Sequence, residues 1–105
     1  MDVATSTNNV PIRLTAERWH HISVGHPEVA EYYFEILETI QFPDAVYEVK
    51  FNELLAIKAF PKLNDKFVVV VYKKVSSFDG FVITSYLTNK IKEFLNRKKI
   101  WASQN

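Results

Sequence analysis

The chain has 105 residues, 48% of them hydrophobic, which is enough to build one domain around a buried core without staples. It has no cysteine, so a disulfide framework, a thiolate zinc site and a cysteine nucleophile are all excluded, and a reducing cytoplasm is the expected compartment. The net charge of +1 hides a division: residues 1–44 carry two basic against seven acidic side chains, and residues 45–105 carry eleven basic against five acidic. Such asymmetry arises either from a polyanion-binding face or from acids on one solvated helix face and lysines flanking strands.

In chain order, residues 1–9 read as a flexible, polar lead-in to a single domain over 10–105. MDVATSTNNVP lacks the basic start and apolar stretch of a secretory leader. Val10, Ile12 and Leu14 alternate with Pro11 and Arg13 as a short strand or extended lead. Thr15 is a good N-cap for a short helix from Ala16, with Glu17 in the first turn and Gly25 as its stop. Pro27 fits the first position of a second helix. Val29, Tyr32, Tyr33, Ile36, Leu37 and Ile40 recur along it at spacings of three and four, and Phe42-Pro43-Asp44 ends it.

Strands follow. Residues 45–51 alternate Tyr47, Val49 and Phe51 against Glu48 and Lys50, and 53–60 reads as their hairpin partner across a turn near Asn52. KFVVVVYKK (66–74) has four valines in a row, the mark of a strand buried on both faces. FVITSYLT (81–88) is the last strand. The tail TNKIKEFLNRKKIW reads as a helix with Ile91, Phe94 and Leu95 on its apolar side. The expected architecture is α+β: two N-terminal helices packed on an antiparallel sheet of about four strands, with a C-terminal helix. No apolar run approaches the roughly 20 residues needed to span a bilayer, so no membrane association is expected.

All three histidines fall within RWHHISVGHPE, residues 18–28. Imidazoles titrate near neutrality and can both take and give a proton. His21 falls near a helix C-terminus and His26 near the next N-terminus, where helix dipoles bias protonation in opposite senses, as an acid–base pair requires. The alternative is that His26 is a turn residue and His21 a surface residue. The order H-H-x-x-x-x-H-P-E is not the H-E-x-x-H of a helical zinc site, so no metal is expected. With two glycines in the chain a glycine-rich phosphate cradle is impossible, and no cofactor is expected.

In TSYLT (84–88), Thr84, Tyr86 and Thr88 share one strand face, offering hydroxyls to phosphate oxygens and a ring to a base. They are equally good strand formers on a solvent face. Lys58 is the one charge in LLAIKAF. Lys73 and Lys74 close the valine strand, and Lys90, Lys92, Arg97, Lys98 and Lys99 load the tail. These cations suit either a phosphate-tracking surface or a helix C-terminus.

Taken together, RLTAERWHHISVGHPEV, the helix ending near QFPDAVYE, the strands ELLAIK and KFVVVVYKK, and DGFVITSYLTNKIK followed by RKKIW resemble small prokaryotic and phage domains of the barnase–EndoU–colicin–RelE-like nuclease group. The resemblance covers about residues 11–101. It rests most on W-x-H-I-x-x-x-H-P-E (Trp19 to Glu28) and on the T-[AS]-[YF] step at Thr84, Ser85 and Tyr86. Gly25 and Leu87 depart from the pattern, where a basic residue and a proline are common.

The resemblance implies metal-independent RNA cleavage, in which the ribose 2′-hydroxyl attacks the adjacent phosphate and leaves a 2′,3′-cyclic end. It makes His21 the general base or acid and His26 a second proton-transfer or orienting group. Lys58 becomes the phosphate clamp, and Thr84 and Tyr86 position the scissile phosphate. Arg18, Lys73, Thr88 and Arg97 are the further substrate-binding candidates. RNA is the expected substrate or ligand, and a cognate inhibitor protein the expected partner of a toxin or phage-derived module. The alternative is a non-catalytic RNA- or protein-binding module of the same fold. Convergence of His21, Lys58 and Tyr86 within about 10 Å of one another separates the two.

Overall fold

The computed structural model describes residues 1–94 and 96–104. Two helices, α1 (Ala16–Gly25) and α2 (Tyr33–Gln41), lie against a sheet of β1 (Asp2–Thr5), β2 (Pro11–Leu14), β3 (Ala45–Lys50), β4 (Glu53–Ala59), β5 (Phe67–Ser76), β6 (Asp79–Thr88) and β7 (Lys99–Ala102). The strand order is β1-β2-β6-β5-β4-β3-β7. All neighbours run antiparallel except β2 and β6, which are parallel, so the sheet is mixed. The expectation of about four antiparallel strands with three helices is therefore corrected to a seven-stranded mixed sheet with two.

Residues 10–14, read as a short strand or extended lead, supply β2, parallel to β6, and three further local expectations change. The polar lead-in forms β1, an edge strand on β2 from Asp2↔Leu14 to Thr5↔Pro11. Its polar sequence suits an edge with one strand neighbour, which hydropathy does not separate from a coil. The second helix is split: Pro27–Val29 is a single 3-10 turn, and α2 begins at Tyr33. Tyr33 is held there by an edge-on contact with Trp19, 5.0 Å between centroids, and by its hydroxyl donating to Asp2 at 2.6 Å. Both partners are distant in sequence, so a helical period does not report them.

The C-terminal helix is replaced by a 3-10 turn, Ile91–Phe94, and by β7 paired to β3. One turn is enough to bury Phe94 against Tyr47, 5.8 Å between centroids. Ile100 and Trp101 favour extended backbone, and they pair beside the open edge of β3. Leu95, expected on the same apolar side, lies outside the described residues.

The sheet has a core on each face. Toward the helices, Val68, Val70 and Tyr72 of β5 join Ile12, Leu14, Ile22, Val29, Ile36 and Ile40. On the other face, Val69 joins Tyr47, Leu55, Ile57 and Phe94. Both faces of β5 are thus buried, and its four valines serve two cores at once. Gly80 sits where β2 meets β6: a Cβ there would lie 2.6 Å from both Ile12 Cδ1 and the Lys73 carbonyl oxygen, so the strands approach this closely only over glycine.

Burial pushes the Tyr72 hydroxyl up to about 12. Burial first, and then the bond to Asp2, does the same for Tyr33. Both tyrosines keep their protons where an unfolded tyrosine, with its ordinary value of 10.0, has lost them. Their contribution to stability is therefore intact below pH 10 and is lost as pH rises from 10 through about 12. We expect the urea midpoint to fall across that window, and to fall less steeply in Tyr72→Phe; an equal slope would place the loss elsewhere.

Candidate active site

The site forms where β2 stops short. β2 pairs with β6 only through Ile12↔Gly80 and Arg13↔Phe81, which leaves the rest of that edge of β6 without a strand neighbour. Helix α1 and the Pro27–Val29 turn pack there instead. The helix starts at Thr15, whose Oγ1 accepts from the Arg18 N–H at 3.1 Å. It stops because His26 precedes a proline, which disfavours the helical conformation. His26 takes φ −131° and ψ 72°, and its N–H donates to the Ile22 carbonyl at 2.7 Å. That stop directs the imidazole toward β6.

There the His26 ring lies 5.7 Å from the Tyr86 ring, centroid to centroid, with 34° between their planes. Its Nδ1 sits 3.3 Å from Glu28 Oε2. A small cleft of about 220 Å³ joins Arg18, His21 and His26 of the helix to Ile83 and Thr84 of β6. Beside it a wider cleft of about 600 Å³ is lined by Glu28, Lys66, Tyr86, Thr88, Lys90 and Glu93, among others. His20 lines neither cleft and makes an edge contact to His21, 6.1 Å between centroids.

Strand register explains which hydroxyls reach the site. Thr84, Tyr86 and Thr88 pair with Val71, Val69 and Phe67, so they stand on the sheet face away from the two helices. Ser85 faces the other way, fully buried, its hydroxyl donating to the Val69 carbonyl at 2.7 Å, and is a packing residue. The Tyr86 hydroxyl is pushed above its ordinary value, mainly by burial; Glu93 adds to the shift and Arg97 opposes it. At neutral pH Tyr86 therefore keeps its proton and can donate a hydrogen bond.

Of the residues singled out by sequence, Arg18, His21, His26, Thr84, Tyr86 and Thr88 line these two clefts, and Arg97 is close enough to Tyr86 to bias its proton. Lys58 and Lys73 do not join them. Lys58 pairs with Val68, which pairs with Leu87, so its side chain rises from the helical face. There its ammonium donates to the Phe42 carbonyl at 2.7 Å, at the C-terminal end of α2. Lys73 pairs with Phe81 and Glu53, further along β5 toward the β5–β6 turn.

Lys66 and Glu28 line the wider cleft although the sequence marks neither as a binding residue. Lys66 only precedes a strand, and nothing local links it to Tyr86. Among the described residues no three histidine, aspartate or glutamate side chains come together in a metal-ligating group, and no helix is long and apolar enough to cross a membrane.

No protein-family model matches the chain, and no curated protein sequence matches it. Among solved structures, the crystal structure of the Brucella abortus ribonuclease toxin BrnT is similar, with a TM-score of 0.51 and 25% sequence identity over 73% of this chain and 94% of BrnT. That likeness is to a toxin nuclease fold and does not single out the barnase–EndoU–colicin–RelE-like group. The clefts around His26 and Tyr86 thus sit on a fold shared with a ribonuclease toxin.

Proposed function

We propose that this chain is a small endoribonuclease of toxin type, cutting RNA at the clefts around His26 and Tyr86 without a metal ion. The observation that carries the proposal is the packing of His26 on Tyr86 with Glu28 at its Nδ1, on a fold shared with a ribonuclease toxin. A carboxylate at Nδ1 orients the imidazole and leaves Nε2 to face substrate, the usual base-and-orienter arrangement.

In the reaction, one histidine takes the proton of the ribose 2′-hydroxyl as its oxygen attacks the adjacent phosphorus. The bond from phosphorus to the 5′-oxygen breaks, and the second histidine protonates that leaving oxygen. The products are a 2′,3′-cyclic phosphate and a free 5′-hydroxyl. His26 and His21 fill the two roles. Tyr86 and Thr84 donate hydrogen bonds to the phosphoryl oxygens, where charge accumulates, and Arg18, Lys66 and Arg97 supply the cations around them. RNA is the substrate. A chain that cuts cellular RNA endangers its own cell, so a cognate inhibitor protein and a cytoplasmic setting belong to the proposal.

The position of Lys58 favours a second reading, a non-catalytic RNA-binding module, because the expected phosphate clamp stands on the sheet face opposite Tyr86. The test is cleavage of an end-labelled RNA in excess EDTA by the wild-type chain, His21→Ala and Lys58→Ala. We expect 2′,3′-cyclic ends from the wild type and Lys58→Ala, with His21→Ala impaired. Salt-sensitive RNA retention without cleavage supports the binding module. Equal cleavage in all three samples means a contaminating nuclease, and neither cleavage nor retention removes RNA from the account.

A further inference from the structure

The sheet face that carries Tyr86 continues beyond the clefts toward the β5–β6 turn. After the register shift at Ile83, Tyr72 and Val82 face the helical core, and the next pair, Lys73 and Phe81, returns to the Tyr86 face. Arg13, paired with Phe81 across the β2–β6 seam, stands on that same face, since its neighbours Ile12 and Leu14 are buried in the helical core. At the end of the hairpin Phe78 is 86% exposed. Tyr86 and Phe81 therefore mark one line along β6, with Thr84 between them, Lys73 beside Phe81 and the exposed Phe78 on the turn just past its end. At about 3.3 Å per residue, Phe81 lies roughly 16 Å along the strand from Tyr86, a distance that a few nucleotides of extended strand cover.

Near Tyr86 the line carries Glu93 and Arg97, and beyond it the acids have cationic neighbours. Asp79 is held by Arg13 through two bonds, at 2.8 and 3.1 Å. Glu53, which pairs with Lys73, has Lys50 at 3.7 Å. Lys73 itself is exposed and has no carboxylate within ion-pair distance among the described residues. Aromatic faces spaced along a strand, with cations beside them, are the general means of holding single-stranded nucleic acid without reading its sequence.

We infer that the β5–β6 hairpin is a binding track for single-stranded RNA. Bases next to the cut stack on Phe81 and Phe78, and Lys73 flanks the backbone. The inference rests on the ribonuclease reading above and deepens it: the substrate is an unpaired strand several nucleotides long, because a duplex presents no free base faces to the rings. Phe51, equally exposed at 86%, is on the β3–β4 turn, beyond β5 from β6, and is assigned no part in the track.

The test measures binding of a fluorescein-labelled RNA octanucleotide by anisotropy, in the His26→Ala background so that the probe survives. Wild-type cleavage of the octanucleotide and of a dinucleotide is compared alongside. We expect Phe81→Ala and Phe78→Ala each to raise the octanucleotide Kd roughly tenfold. Lys73→Gln should reduce the salt dependence by about one counterion, and Phe51→Ala should bind like its parent. Phe81 is half-buried, so each variant is checked by circular dichroism; Phe78, out on the turn, keeps the test decisive if Phe81→Ala fails to fold. If Phe78→Ala and Lys73→Gln bind like Phe51→Ala while the wild type still cuts both RNAs, the track is refuted and the active site stands. If the wild type neither cuts nor retains RNA, both fall.

Discussion

His26→Ala is expected to slow single-turnover RNA cleavage by roughly 10²–10⁴-fold, the range typical of losing one positioned general acid or base. The fold should survive the change. The backbone N–H of His26 closes α1 on the Ile22 carbonyl, and alanine keeps that donor. The imidazole is only half-buried, and its pairing with Glu28 is exposed on both sides, so little stability depends on it. Circular dichroism and the melting temperature should therefore match the wild type while cleavage falls. An unchanged cleavage rate would remove His26 from the chemistry and leave it as a helix stop. A fall in both rate and melting temperature would mean that the ring holds α1 against β6.

Tyr72→Ala is expected to cost about 3–5 kcal/mol, the usual loss for truncating a buried aromatic residue. Tyr72 is the largest fully buried side chain among the described residues, 1% exposed, on the central strand between Leu54 of β4 and Val82 of β6. It faces the helical layer, where the ring closes a core that includes Ile12 and Ile36. Domains of this size have about 5–15 kcal/mol in total, so the variant would lose a large share of its margin. Urea unfolding at neutral pH measures this directly. A loss below about 1 kcal/mol would mean that the core collapses around the gap.

How much of the site was legible in the sequence differs residue by residue. The helix end at Gly25 is local: Gly25 is its expected stop, and proline at 27 restricts His26 to a non-helical conformation. Thr84 and Tyr86 share a face because strand side chains alternate, which is local as well. Lys58 shows where locality ends. It too lies on a strand, but whether its face is that of Tyr86 depends on the register of β4 on β5 and of β5 on β6. A shift of one residue would reverse it. The registers Lys58↔Val68 and Val68↔Leu87 carry it to the helical side.

Secondary structure divides in the same way. The Thr15 cap, the stop at His26 and the strands around the β3–β4 and β5–β6 turns come from side chains acting on their own or adjacent backbone, so short stretches of sequence suffice. The four valines of β5 also required a strand buried on both faces, because only a central strand accepts apolar residues at every position.

Three features were decided by the tertiary structure alone: the break before α2, the β1 edge and the replacement of the tail helix by β7. Each depends on a partner supplied from far along the chain. Trp19 and Asp2 hold Tyr33, Pro11–Leu14 pairs with the first residues, and the unpaired edge of β3 captures residues 99–102. The active-site clefts belong with these features. The sequence determined a helix ending in histidine and a strand bearing hydroxyls. Their meeting follows from β2 pairing with β6 over only two residues, because a strand edge left open is a hydrogen-bonding surface that the rest of the chain must cover.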